Sequence, residues 1–113
     1  MRLSLVVPCY NEAENVAAFQ GAVIVAFEGC GYDYEIVFID DGSKDATLHN
    51  LRKIYAEKKS AVTVVSFSRN FGKEAGIYAG LQHAKGDYIA VIDADLQQRP
   101  EIVRDMVKIL DEQ

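Results

Sequence analysis

The sequence predicts an α/β protein with a Rossmann-like, open, mostly parallel sheet and helices on both of its faces. Two observations predict it. Four short apolar runs, "LSLVVP", "EIVFID", "AVTVVSFS" and "YIAVID", alternate with longer helical patterns. None of the four shows the polar alternation of a half-solvated strand, so each suits a parallel sheet covered on both sides. The β-α-β-α rhythm then demands crossovers, which are right-handed almost without exception.

The elements follow in order. A first strand at 3–8 is stopped by Pro8, with Asn11 as the expected cap of a helix over 12–28. A second strand at 35–40 runs into "DDGS", where Asp and Gly make a turn and Asp41 or Ser43 caps a helix over 44–58. A third strand at 61–68 precedes a helix over 72–84, in which Gly72, Gly76 and Gly80 recur every four residues. That spacing puts the glycines on one helical face, for close packing on the sheet. The last strand, 88–93, leads into "DADLQ" and a helix over 100–110.

Composition bounds the function. The chain has 113 residues, 50% hydrophobic and 26% charged, enough for one domain with its own core. Its net charge of −5 argues against a nucleic-acid partner held by backbone phosphates. Cys9 and Cys30 fit no CxxC spacing and are expected to be free thiols in a reducing compartment. "MRLSLVVPCYNE" is no secretory leader and no run approaches the length of a membrane span, so the chain is expected in the cytoplasm.

In an open α/β sheet, ligands sit beyond the carboxyl ends of the strands. Here each end carries a polar cluster: "PCYNE", "DDGS", "SRNFGK" and "DADLQ". If the strands are parallel, Asp40, Asp41, Asp93 and Asp95 meet at one rim. Asp93 and Asp95, two residues apart, can converge on one point, and Gln97 adds an amide oxygen. Two carboxylates and a carbonyl suit a hard divalent cation, Mg²⁺ or Mn²⁺. The plainer reading makes Asp95 a helix cap and Asp93 a solvated strand end, and for a lone D-x-D it is the better one. The facing acids favour the metal.

A carboxylate of "DDGS" can accept a ring N–H of uracil or guanine. Tyr10 can pack on a base or ribose, Glu12 can take a ribose hydroxyl, and Asn11 is a further candidate beside them. Arg69 and Lys73 bring positive charge next to a helix N-terminus, a place for phosphates or simply a solvated basic pair. No G-x-x-x-x-G-K-[ST] is present, "GCGYDY" is not a dinucleotide fingerprint, and His49 and His83 lack ligand partners at metal spacing.

"VVPCYNEAENV", "IDDGSKDAT", "SRNFGKEAGIYAGLQHAKGDYIAVIDADLQ" and "PEIV" together resemble, in order and over nearly the whole chain, the family 2 glycosyltransferases of the GT-A fold. The branch they resemble most is that of the dolichyl-phosphate mannose synthases and the undecaprenyl-phosphate hexose transferases. The resemblance implies an inverting, metal-dependent transfer of a hexose from a UDP- or GDP-sugar to a polyprenyl phosphate. It implies that Pro8, Tyr10 and Glu12 line the nucleotide site, with Ile39 and Asp41 at the base. Asp93, Ala94 and Asp95 would form the metal and diphosphate site, and Gln97 would complete the metal shell.

That branch usually reads D-L-Q-[DH]-P-P-E where this chain has "DLQQRPE", so Gln98 and Arg99 depart from it. Family members continue well beyond this point. The chain is therefore expected to be the donor-binding part, a single domain over 1–113 that ends one helix after the D-x-D and binds donor with little turnover. The acid usually assigned as general base has no counterpart here. The fuller protein is expected at the cytoplasmic face of a membrane, and an open sheet edge could allow self-association. Three alternatives are a non-catalytic nucleotide or metal-binding module, a receiver-type phosphoacceptor domain and a nucleotidyltransferase. A receiver would need a lone Asp after the third strand, where this chain has "SFSRN". A nucleotidyltransferase would need a Gly- and Arg-containing loop where this chain has "PCYNEAEN".

Overall fold

The computed structural model describes residues 2–96 and 99–111. Strands β1 (Arg2–Cys9), β2 (Asp33–Asp40), β3 (Val62–Ser66) and β4 (Tyr88–Val91) alternate with helices α1 (Val16–Phe27), α2 (Thr47–Glu57), α3 (Lys73–His83) and α4 (Pro100–Asp111). The strands form one sheet in the order β3-β2-β1-β4, and every pairing is parallel. Parallel pairing brings all four carboxyl ends to the same rim, as the β-α rhythm requires.

Alternation along the strands divides the core between the two faces. Leu3, Leu5 and Val7 of β1, with Ile36 and Phe38 of β2, pack with residues of α1, α2 and α4, among them Phe19, Val23, Leu51 and Val107. Val6, Val37 and Ile39 face the other way, under α3. That helix lies close to the sheet because it has no side chains at the contact. A Cβ on Gly80 would stand 2.3 Å from Val6 Cγ1, and one on Gly76 would touch Ile39 Cγ2 at 3.5 Å. Gly72 is a glycine for another reason: its φ is +102° and a Cβ there would meet nothing. Of the three periodic glycines, Gly80 is therefore required by packing and Gly72 by the backbone, while a Cβ on Gly76 would make an ordinary contact.

β1 and β2 run longer than the sequence expectation, β1 continuing through Pro8 to Cys9, while β3, β4 and the first three helices are shorter. β3 stops at Ser66 because its partner β2 ends at Asp40, and Asp40↔Ser66 is the last pair. β4 stops at Val91, and Ile92 N–H makes one further bond to Val6 O at 3.0 Å before the chain turns. α1 and α2 each start later than expected because the loops before them are stitched to each other. Asn11 N–H donates to Ser43 Oγ (2.9 Å), Lys44 N–H to Asn11 Oδ1 (2.9 Å) and Glu12 N–H to Thr47 Oγ1 (2.8 Å).

Asn11 thus does not cap α1; it sits at φ 53° and holds the neighbouring loop. Neither Asp41 nor Ser43 caps α2. Asp45 serves its first turn instead, accepting the Thr47 N–H at 2.9 Å and the Thr47 hydroxyl. The Thr47 hydroxyl bond holds the Asp45 carboxyl below its usual range. At the opposite end of the sheet, the buried Glu35 carboxylate accepts Ser4 Oγ–H (2.5 Å) and Lys85 N–H (2.6 Å), pinning the turn before β4.

Candidate functional site

At the carboxyl rim lies a cleft of about 530 Å³, lined by Pro8, Cys9, Tyr10, Glu12, Asp41, Asn70, Gly72, Lys73, Asp93 and Asp95. Its size falls within the roughly 300–1,000 Å³ typical of small-ligand clefts. All four strand ends contribute. β1 supplies Pro8 and Cys9 and the loop after it Tyr10, a residue 42% exposed, and Glu12. Glu12 Oε2 accepts Asn15 Nδ2–H at 2.5 Å, which orients the carboxylate. Cys9 is buried, and burial pushes its thiol far above the usual range, with the charges of Glu12, Asp40 and Asp93 adding to the effect. The thiol is therefore inert, and those three carboxylates make the local potential negative.

The two acids at the end of β2, Asp40 its last residue and Asp41 the first beyond it, are both buried, with different partners. Asp40 Oδ1 accepts Ser43 N–H at 3.2 Å and closes the turn. Asp41 reaches across to the loop before α3. Its Oδ1 accepts Phe71 N–H at 2.8 Å, and its Oδ2 accepts Gly72 N–H at 3.0 Å and Asn70 Nδ2–H at 3.2 Å. The two amides immediately before α3 are thus occupied by a carboxylate of this chain. Gly42 lets the loops come together: at φ +68°, its Cβ position lies 2.2 Å from the carbonyl carbon of Arg69.

Beyond β4 the two carboxylates part from the alanine between them. Ala94 is buried in the core, while Asp93 and Asp95 both line the cleft. Asp93 is partly exposed and Asp95 exposed. Lys73, at the start of α3, places Nζ 2.9 Å from Asp93 Oδ1. Arg69 turns elsewhere, with its guanidinium 4.6 Å from the centre of the Phe71 ring.

Of the residues singled out in the sequence, Pro8, Tyr10, Glu12, Asp41, Lys73, Asp93 and Asp95 share the cleft. Ile39 does not line it; it is fully buried beneath α3, where Gly76 and Gly80 approach it. Ala94 lies in the core, Asp40 in its turn, Asn11 in the loop stitch and Arg69 on Phe71. Gln97 lies outside the described residues. Cys9, Asn70 and Gly72 line the cleft without having been anticipated. Asn70 carried a signal in "SRNFGK", but only the fold shows that its amide meets Asp41.

Among the described residues, no group of three or more His, Cys, Asp or Glu is arranged to hold a metal. The donor set of Asp93 and Asp95 nevertheless fits one way of holding Mg²⁺ or Mn²⁺. Such ions commonly take one or two protein carboxylates and draw their remaining ligands from water and substrate phosphates. Two accessible carboxylates on one cleft, in a negative local potential, meet that description.

The comparison with known families decides the identity of the fold. The sequence model of Glycosyl transferase family 2 matches residues 4–113. The chain belongs to this family. Family membership sets aside the receiver and nucleotidyltransferase alternatives. Among curated relatives, the chain is 45% identical over 108 residues to a prophage bactoprenol glucosyl transferase homolog of Escherichia coli K12, covering 96% of this chain and 35% of the relative. It is 38% identical over 110 residues to an undecaprenyl-phosphate 4-deoxy-4-formamido-L-arabinose transferase of Edwardsiella ictaluri, covering 97% and 34%. The chain therefore spans about a third of the length of these relatives.

A solved mannosyltransferase from Pyrobaculum calidifontis, in complex with GDP-mannose and Mn²⁺, superposes with a TM-score of 0.83 at 27% identity. That match covers 96% of this chain and 32% of the other. The fold is the Rossmann-like GT-A arrangement that the resemblance implied.

Proposed function

We propose that the cleft binds the nucleotide diphosphate of a UDP- or GDP-activated hexose, and that the fuller protein transfers the hexose to a polyprenyl phosphate with inversion. One observation carries this reading: Asp93 and Asp95 open into the same cleft as Tyr10, Glu12 and Lys73, at the carboxyl rim of a parallel sheet. The relatives named for bactoprenol and undecaprenyl phosphate support the acceptor class, and the neighbour holding GDP-mannose and Mn²⁺ supports the donor class and the cation.

In this reading Tyr10 offers a ring face to the base or ribose, and Glu12 accepts a ribose hydroxyl. Asp41, which lines the cleft with Pro8, is the acid that the resemblance sets at the base, while Ile39 is buried beneath α3. Asp93 and Asp95 hold Mg²⁺ or Mn²⁺, with Gln97 as the further ligand suggested by the resemblance. When bound, the cation supplies electrostatic stabilisation of the departing diphosphate. Lys73 adds a second positive charge on the same side. A lipid phosphate is largely ionised at pH 7, its second pKa being about 6, so the acceptor itself needs little help from a protein base.

The described residues supply the donor side of this transfer, and the chain alone is proposed to bind donor with little turnover. Among the described residues, no helix is long and apolar enough to cross a membrane. Placement at the cytoplasmic face of a membrane follows from the acceptor class proposed. β4 ends the sheet on one side, so self-association through that edge is also proposed; sedimentation as a monomer at high concentration would remove it.

Calorimetric titration of UDP and GDP into the chain, with Mn²⁺ and with EDTA, tests the donor reading. One nucleotide is expected to bind only with the cation, and Asp95→Ala is expected to abolish that binding. A folded chain that binds neither nucleotide, or binds one equally well in EDTA and after Asp95→Ala, would refute it.

A further inference from the structure

We propose that Lys73 is a resident counterion of the cation site: it holds Asp93 when no cation is bound and moves to the nucleotide diphosphate when one is. This rests on the reading of Asp93 and Asp95 given above and adds a role for a residue outside the D-x-D. The observation is the contact itself, Lys73 Nζ to Asp93 Oδ1 at 2.9 Å, across the cleft from the start of α3 to the turn after β4.

Both ends of this contact are anchored. The approach to α3 is fixed by the Asp41 carboxylate on Phe71 N–H and Gly72 N–H. The turn after β4 is fixed by Ile92 N–H on Val6 O and by burial of Ala94. Only the side chains are free to rearrange, with Lys73 59% and Asp93 40% exposed.

A divalent cation and an ammonium compete for the same carboxylate, because like charges close together repel. An exposed ion pair is weak, typically worth up to about 1 kcal/mol, or a factor of about five. Lys73 therefore lowers the affinity for a bare cation without blocking it. Once displaced, the ammonium remains tethered to α3 beside the cleft, where a diphosphate provides new anionic partners. The cation frees Lys73 for the diphosphate, and the diphosphate draws Lys73 off Asp93. By linkage, each ligand then strengthens the binding of the other by the same factor.

The test is Mn²⁺ binding followed by the electron paramagnetic resonance signal of the free ion, on wild type, Lys73→Gln and Lys73→Arg, each with and without UDP or GDP. Without nucleotide, Lys73→Gln is expected to bind Mn²⁺ about fivefold more tightly than wild type, while Lys73→Arg resembles wild type. The nucleotide's enhancement of Mn²⁺ affinity is expected to fall by up to about fivefold in Lys73→Gln, since the coupling cannot exceed the worth of the ion pair that mediates it. If wild type binds Mn²⁺ through Asp95 but Lys73→Gln binds it no more tightly, the counterion role is wrong and the cation site stands. If Lys73→Arg behaves as Lys73→Gln does, charge is not the operative property and the proposal fails. If no variant binds Mn²⁺ in a way that Asp95→Ala removes, the cation site itself fails and this proposal with it.

Discussion

Gly42→Ala is expected to destabilise the chain by about 3 kcal/mol, read as a fall in the urea midpoint, because two separate costs coincide. A left-handed backbone costs a non-glycine residue roughly 1–2 kcal/mol. Overpacking a tight contact typically adds about 1–3 kcal/mol. At Gly42 the new methyl would meet main chain, with Arg69 C at 2.2 Å, Asn70 N at 2.4 Å and Arg69 O at 2.6 Å. Backbone atoms cannot rotate aside as a side chain can, so the loop before α3 must move. Gly29→Ala is the matched control: its φ is +70° and nothing lies within 4 Å of the added carbon. It is expected to cost only about 1 kcal/mol. Equal losses in the two variants would show that the 41–43 and 69–70 loops are not in contact.

Asp41→Ala is the second large effect. Its carboxylate accepts three hydrogen bonds, two of them from backbone N–H groups. A hydrogen bond to a charged group contributes about 1.5–3 kcal/mol, and each donor left unpaired in a buried place costs about 1–3 kcal/mol. Water will reach some of the freed donors, so the net loss expected in chemical denaturation is about 3 kcal/mol, with Asp41→Asn losing less because an amide oxygen can still serve one donor. The loop before α3 carries Asn70 and leads into Lys73, so nucleotide affinity should fall alongside stability. A loss below about 1 kcal/mol in Asp41→Ala would mean that solvent replaces the carboxylate and that nothing is clamped.

Asp41 marks where sequence reading runs out. "IDDGS" was legible as a strand end with a turn, and the likeness to known transferases placed an acid at the base. That Asp41 serves the start of α3, thirty residues on, depends on β2 and β3 being neighbours with Asp40 paired to Ser66. The strands themselves were easy, because runs such as "IVFID", buried on both faces, leave little choice between strand and loop. Helix starts were harder: Asn11, Asp41 and Ser43 were the expected caps, and all three bond a neighbouring loop instead, while Asp45 serves the first turn of α2. D-x-D was legible because two carboxylates, one residue apart, close an apolar strand; that Ala94 between them goes into the core and not into the site was not legible. Ile39 likewise goes into the core, beneath α3, a result the motif alone did not disclose.

Asp93 and Asp95 are proposed to form the donor site together with Tyr10, Glu12 and Lys73, which line the same cleft. Paramagnetic broadening of backbone amide resonances by Mn²⁺, added at low stoichiometry with UDP or GDP, locates that site directly. Tyr10, Lys73, Asp93 and Asp95 are expected to broaden first, Lys85 and Gly86 at the opposite end of the sheet to stay sharp, and Asp95→Ala to abolish the pattern. Broadening centred elsewhere on the chain, or a pattern unchanged by Asp95→Ala, would contradict this assignment.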